Sequence, residues 1–254
     1  MCATCGCSDE TGIRVIDPEA DGHGHGHDHV HPETQRTVLL EQDILAANDL
    51  LAENNRGWLA ERAIHAVNLM SSPGSGKTTL LERTIRELGR EFPMTVIEGD
   101  QETVFDADRI RATGCRVIQV NTGAGCHLDA DMLAKALRTL DPPSRSTVFI
   151  ENVGNLVCPA LFDLGEGTRT VIMSVTEGSD KPGKYPHMFR TADVVLLNKI
   201  DLLPYVDFDV DAFLTALTQV NPRSRVLKMS ATGGEGMDDW YGWLRERVDL
   251  GPTL

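Results

Sequence analysis

Lys77, Thr78, Glu151, Asn198, Lys199 and Asp201 are the residues of this chain whose types and neighbours suit chemistry on a nucleoside polyphosphate. Lys77 and Thr78 belong to the run Ser71-Ser72-Pro73-Gly74-Ser75-Gly76-Lys77-Thr78-Thr79, set between an apolar stretch (Ala66 to Met70) and a helical pattern that starts at Leu80. A strand that turns through glycines into a helix start aims backbone N–H groups and the positive end of the helix dipole at one point, which suits a phosphate. Gly74, Ser75 and Gly76 make the turn, and Lys77 supplies a mobile charge to the β/γ-phosphates. The Thr78 hydroxyl is placed to ligate the Mg²⁺ that bridges them, with Thr79 in the same helical turn. The pattern G-x-x-x-x-G-K-[ST] is met except at its first position, where Ser71 would have to make a turn with a residue that resists positive φ.

Val194 to Leu197 is an apolar run ending in Asn198-Lys199-Ile200-Asp201. That puts a carboxylate at the C-terminal strand edge, where doubly wound sheets bind ligands. Asp201 can accept hydrogen bonds from the N1–H and the exocyclic amine of guanine, a pairing adenine cannot make, while Asn198 and Lys199 brace the loop and cover the base. Downstream, Ser230-Ala231-Thr232 offers a backbone N–H for guanine O6. The two signals together point to GTP. Between them, Thr147 to Ile150 lead into Glu151-Asn152-Val153-Gly154, in which Glu151 is a hard oxygen donor for Mg²⁺ and the Gly154 N–H is placed for a γ-phosphate. Asp106 and Asp100 are further candidates for the Mg²⁺ shell, on a segment expected to be mobile. Asn155 stands where some GTPases carry a water-orienting glutamine.

A second chemistry is written in sulfur and imidazole. Cys2, Cys5 and Cys7 are soft donors within one short stretch and can close around a single ion, with the Cys2 α-amine as an added donor if Met1 is removed. Ligand type alone names Zn²⁺ first and admits Ni²⁺ in a flattened S/N site. His23, His25, His27, His29 and His31 alternate with other residues, loosened by glycine, as a metal-gathering tract without a fixed structure. Cys126-His127 and Cys158 follow strands expected to be adjacent and make another S/N site with an open coordination position. Cys115 reads as an ordinary, partly buried cysteine.

The elements that must position these groups are legible as alternation. Strands are expected near 65–70, 94–98, 116–120, 147–151, 170–175, 193–198 and 225–229, and helices near 78–89, 129–140, 209–219 and 237–248. This predicts an α/β fold with a mostly parallel, doubly wound sheet of about seven strands and helices on both faces. Residues 1–35 read as a flexible Cys/His tail and 36–254 as a nucleotide domain opened by a packing helix, whose stop is expected at Asn54-Asn55 and Gly57. The chain has 254 residues, is 41% hydrophobic and carries a net charge of −14, enough for one substantial core and the wrong sign for a nucleic-acid backbone. No apolar run of about 18 residues suits a membrane, and the cysteine-bearing start does not resemble a secretory leader. Crowded thiols in so long a chain fit reduced, metal-binding cysteines, so a soluble cytoplasmic protein is expected.

Taken in series, these motifs resemble the HypB family of GTPases, which help deliver nickel during maturation of nickel-iron hydrogenase. The resemblance spans nearly the whole length. It rests on C-x-x-C-G-C, the His tract, S-S-P-G-S-G-K-T-T, E-G-D-Q, F-D-A-D-R, G-x-G-C-H-L, E-N-V-G-N-L-V-C-P, D-K-P-x-K-Y-P and L-N-K-I-D. It makes Ser71 a family trait and implies the SIMIBI class of P-loop GTPase, with slow hydrolysis gated by dimerisation. It further implies a tight nickel site at Cys2, Cys5 and Cys7, and a weaker nickel/zinc site at Cys126, His127 and Cys158 near a GTP-dependent homodimer interface. The expected partners are a HypA-type nickel chaperone and the hydrogenase large-subunit precursor. The urease-maturation GTPase is the nearest alternative; its motif is Cys-Pro-His, whereas Cys158-Pro159 runs here into Ala160. A nickel or zinc storage protein with a nucleotide switch is an alternative of another class.

Overall fold

The computed structural model describes residues 32–100, 105–123 and 125–250. Cys2, Cys5, Cys7 and the histidines from His23 to His31 lie outside the described residues. The apolar runs become strands β1 (His65–Ser71), β2 (Met94–Asp100), β3 (Arg116–Asn121), β4 (Thr147–Glu151), β5 (Thr168–Ser174), β6 (Val194–Asn198) and β7 (Arg225–Lys228). Helices α1 (Pro32–Glu61), α2 (Lys77–Leu88), α3 (Phe105–Arg111) and α4 (Ala130–Leu140) alternate with the first strands. The later helices are α5 (Cys158–Leu161), α6 (Lys181–Lys184), α7 (Pro186–Arg190), α8 (Val210–Val220) and α9 (Met237–Leu250).

The strands form one sheet in the order β3-β2-β4-β1-β5-β6-β7, every pairing parallel. Both faces are covered, so the central strands are buried throughout and read as continuous apolar runs. On one face Leu80, Leu81, Ile85 and the α9 residues Trp240, Trp243 and Leu244 pack on Val67, Leu69, Val96 and Phe149. The Trp240 indole N–H also donates to Thr84 Oγ1 at 3.0 Å, tying α9 to α2. On the other face α4 and the end of α1 cover Ala66, Ile97 and Ile150, while α5, α7 and α8 cover Met70, Val171 and Leu197. Because α2 leaves β1 on one face and α5 follows β4 on the other, a crevice opens between these neighbouring strands at their C-terminal ends. Doubly wound sheets bind ligands in such a crevice.

Two local expectations give way to tertiary packing. Helix α1 does not stop at Asn54-Asn55 and Gly57 but runs on to Glu61. Asn55 is an anchor, its Nδ2 donating to Ala130 O at 2.8 Å and to Leu164 O at 3.0 Å. In the segment after β2, residues 105–111 form α3, with Ala107 and Ile110 buried. The strands that carry the thiol ligands are not adjacent either, since β2 lies between β3 and β4.

Candidate functional site

The loop between β1 and α2 turns through Gly74 (φ 74) and Gly76 (φ 103). Glycine is required at 76 for a second reason: an added Cβ would lie 2.6 Å from Asn198 Nδ2. Ser71 needs no such freedom. It is the last residue of β1 and has no positive φ, so the strain expected of a serine there is absent. It accepts instead, through Oγ, a hydrogen bond from Lys77 Nζ at 2.8 Å. Helix α2 has no side-chain cap, so its first N–H groups are left for a ligand.

Around this loop the fold gathers Gly74, Gly76, Lys77, Thr78, Thr79, Asp106, Glu151, Gly154 and Lys199, which line a cavity of ≈ 420 Å³ together with Pro73 and Arg109. Gly154 lies so close to the loop that an added Cβ would meet Pro73 Cα at 3.1 Å. Ser75 and Asn198 are buried beside the lining. Burial depresses the Lys77 pKa, opposed by Glu151 and Asp106. The Thr78 hydroxyl donates to Glu151 Oε1 at 2.7 Å. Arg109 is a lining residue that the motifs did not single out; it reaches Thr79 Oγ1 at 3.2 Å and Glu82 Oε2 at 2.9 Å. Its sequence signal was its place at the end of F-D-A-D-R, three residues after Asp106.

Asp100 sits at the end of β2 outside the lining residues, and Glu98, two residues earlier, is the carboxylate that sequence reasoning undervalued. Glu98 and Glu151 are register partners across β2 and β4. Each is buried and has one oxygen, Oε2, without a hydrogen-bond partner among the described residues. Burial, aided by Glu151, Asp100 and Asp106, pushes the Glu98 carboxyl up to about 8, and burial also raises that of Glu151 against the pull of Lys77 and Thr78. Carboxylates crowded in this way lack positive charge. The donor set of hydroxyl and carboxylate oxygens, two of them unpartnered, fits Mg²⁺, which prefers hard oxygen ligands.

At the other end of the pocket, Asn198 works as a brace. Its Nδ2 donates to Ser75 O at 2.9 Å, and its Oδ1 accepts from Lys199 N at 2.8 Å and Ala231 N at 3.0 Å. The Ala231 N–H is thereby committed to Asn198, and Ser230 is buried beside it. Lys199, in the left-handed region at φ 63, donates from Nζ to Gly74 O at 2.7 Å. Asp201 lies exposed in the following 3-10 helix (Ile200–Tyr205), where no side chain caps the helix start. Its carboxylate is therefore not a capping group. Arg83 of α2 holds the Ala231-Thr232 loop by donating to both carbonyls, at 3.1 and 3.0 Å.

Cys126, His127 and Cys158 converge although their strands are not neighbours: their ligand atoms all lie within 4.8 Å of one another. The Cys126 and Cys158 Sγ atoms are 2.7 Å apart, and Cys126 Sγ is 3.6 Å from His127 Nδ1. The His127 ring stacks on Phe162 with centroids 3.9 Å apart. Burial lowers the His127 pKa, opposed by Asp129, and so favours the neutral imidazole, the form that ligates a metal. Two thiols and an imidazole suit a soft or borderline divalent ion such as Ni²⁺ or Zn²⁺. Asn155 Oδ1 accepts from Val157 N at 2.8 Å, so this amide shapes the turn before Cys158 and is not held toward the phosphate loop. Cys115 is partly buried, with its thiol pushed up to about 11 by burial, and stands apart from the triad.

A phosphate loop at the switch point of a parallel sheet, braced by an N-K-x-D loop, defines a nucleotide-binding protein of the P-loop class. Residues 65–228 match the family model described as the CobW/HypB/UreG nucleotide-binding domain. The chain is 55% identical over 222 residues to the hydrogenase maturation factor HypB of Azotobacter chroococcum mcd 1, covering 84% of this chain and 73% of that protein. It is likewise 55% identical over 224 residues to HypB of Escherichia coli K12, covering 88% and 77%. Among solved structures, HypB from Archaeoglobus fulgidus superposes with a TM-score of 0.75 at 41% identity, over 80% of this chain and 100% of that one. HypB from Helicobacter pylori in complex with nickel gives 0.75 at 36%, over 80% and 96%. The chain belongs to the HypB family of hydrogenase maturation factors.

Proposed function

We propose that this protein hydrolyses GTP and uses the cycle to hold and release nickel for insertion into nickel-iron hydrogenase. The observation that carries the reading is the convergence of the thiol–imidazole triad beside the nucleotide pocket: Cys158 lies on the segment leaving β4, whose end bears Glu151, and Cys126 and His127 lie on the loop after β3, the neighbour of the strand that ends in Asp100. Lys77 leaves Ser71 for the β/γ-phosphates, the α2 N–H groups hold the phosphate oxygens, and Gly154 donates its N–H to the γ-phosphate. Thr78, Glu151 and Asp106, with Asp100 behind them, hold Mg²⁺. When bound, Mg²⁺ neutralises charge that develops on the phosphate oxygens. Asp201 reads the guanine edge, while Asn198, Lys199 and the Ser230-Ala231 turn fix the loop that presents it.

Cys126, His127 and Cys158 then form the exchangeable nickel site, which zinc also fits, and Cys2, Cys5 and Cys7 form a tighter one. The tract from His23 to His31 gathers metal. The N-terminal Cys/His tail, read as residues 1–35 with 32–35 already in α1, and the nucleotide domain (36–254) divide the work, with a homodimer forming in response to nucleotide or metal and gating hydrolysis. A HypA-type nickel chaperone and the hydrogenase large-subunit precursor are the partners. No helix among the described residues is long and apolar enough to cross a membrane. The test combines phosphate release with equilibrium binding on the full chain. GTP but not ATP should be hydrolysed with Mg²⁺, and Ni²⁺ affinity at the thiolate sites should depend on the bound nucleotide. A storage protein would instead take up many ions per chain with no dependence on nucleotide.

A further inference from the structure

Asn152 lies between Glu151 and the turn to Gly154, and it is 1% exposed. Its backbone N–H continues the sheet, donating to Leu69 O at 3.0 Å. Its side chain leaves the strand altogether. Oδ1 accepts from Leu128 N at 3.2 Å and from Val153 N at 3.0 Å, and Nδ2 donates to Asn68 Oδ1 at 3.4 Å. Asn68, fully buried on β1, donates in turn to Glu166 Oε1 at 3.1 Å, a carboxylate that Arg169 Nε also binds at 2.8 Å. The primary amide is thus anchored on the sheet side and reaches out on the other.

What it reaches is the residue next to His127. Leu128 is fully buried, and its side chain packs on Gly99 of β2, where an added Cβ would lie 2.8 Å from Leu128 Cγ. Gly99 stands between Glu98 and Asp100, so two of the contacts that hold Leu128, the Asn152 hydrogen bond and the Gly99 packing, come from strand ends that carry nucleotide-site carboxylates. A buried N–H that loses its acceptor costs about 1–3 kcal/mol, so the Leu128 amide follows Asn152 and does not let go of it.

We propose that Asn152 is the positioning residue that transmits nucleotide state to the His127 side of the triad. The covalent path from Glu151 through Gly154 moves Cys158. The hydrogen bond from Leu128 to Asn152 moves His127 with it, so sulfur and imidazole ligands shift as a unit. An amide is the side chain the position demands: it accepts both N–H groups while donating to Asn68, which neither a carboxylate nor an aliphatic side chain can do. The inference rests on the proposed nucleotide-linked metal site and assigns the residue through which the linkage runs.

The test uses the full chain with Cys2, Cys5 and Cys7 replaced by alanine, so that the nickel–thiolate charge-transfer band reports the triad alone. Ni²⁺ affinity is measured with GDP and with a non-hydrolysable GTP analogue. Allosteric couplings typically span about 5-fold to about 150-fold, and the parent ratio should fall in that range and collapse to within about threefold in Asn152→Ala. A residue that merely supports the loop would lower affinity in both states and leave the ratio intact, and that result overturns the proposal. Equal affinities in the parent overturn the nucleotide-linked reading itself. Should Asn152→Ala not fold, hydrogen exchange of the Leu128 amide in the parent decides: different protection in the two nucleotide states supports the proposal, and identical protection defeats it.

Discussion

In the phosphate loop the polar groups are already joined to one another: Lys77 to Ser71, Thr78 to Glu151, Asn198 to Ser75, Lys199 to Gly74. The triad is built differently. Cys126 and His127 lie on a loop after the edge strand β3, Cys158 opens a four-residue helix, and the ties of these loops to the sheet include one Asn152 hydrogen bond and the packing of Leu128 on Gly99. A site that must present the same donors to each incoming nucleotide gains from preorganisation, because the donors need not reorganise when charge develops. A site that must take up and give away an ion gains from ligands on separate loops, since moving one of them opens the coordination shell.

This contrast can be broken by experiment. The largest effect is expected for Lys77→Ala, which should lower GTP hydrolysis by at least roughly a hundredfold, the cost of removing one charge-stabilising donor. Ni²⁺ affinity of the nucleotide-free triad should be retained, as read from the thiolate band. Collapse of that band in Lys77→Ala would mean that the two regions share one scaffold and are not separately built. Cys158→Ala is the reciprocal change. It should weaken Ni²⁺ at the triad by more than roughly tenfold, already the size expected from losing a mere supporting contact. GDP affinity of the metal-free variant should stay near that of the parent in calorimetry, and a large drop would place Cys158 in the nucleotide site.

Asp201→Asn sharpens the nucleotide half alone. Reversing one hydrogen-bond polarity at the base edge should cost about 1–3 kcal/mol of GTP binding and admit xanthosine triphosphate. An unchanged preference for GTP in competition binding would remove Asp201 from the site. The smallest functional effect is expected at the opposite end of β1, where His65 is buried against Thr168, 3.2 Å from its Oγ1. Burial, with Arg247 adding repulsion, lowers the His65 pKa from 6.5 to about 4. Between these values the unfolded chain binds the proton and the folded chain does not, so stability is present above the unfolded pKa and is lost as pH falls through the window. His65→Gln should flatten that loss in urea melts recorded from pH 7 to pH 4 and leave both sites unaltered. An equally steep loss in the variant would assign the acid sensitivity elsewhere.

The sequence by itself determined the strand-and-helix alternation, the phosphate loop, the N-K-x-D brace and the identity of the thiol and imidazole donors. These are local: a glycine turn, an apolar run and a helix start are set by neighbours along the chain. Tertiary structure decided what depends on distant partners. Asn55 reads as a helix stop and becomes an anchor because α4 and the loop before β5 offer it carbonyls. Ser71 reads as a strained turn residue and becomes the resting partner of Lys77 because β1 extends through it. Glu98 reads as one acid among many in a chain of net charge −14, and only the β2–β4 register sets it beside Glu151 in a buried pair. The triad shows the limit most clearly: residue types named its chemistry, but strand order placed β2 between its parts. Periodicity along a chain carries no record of which strands become neighbours, so the role of Asn152 could be seen only once the sheet was assembled.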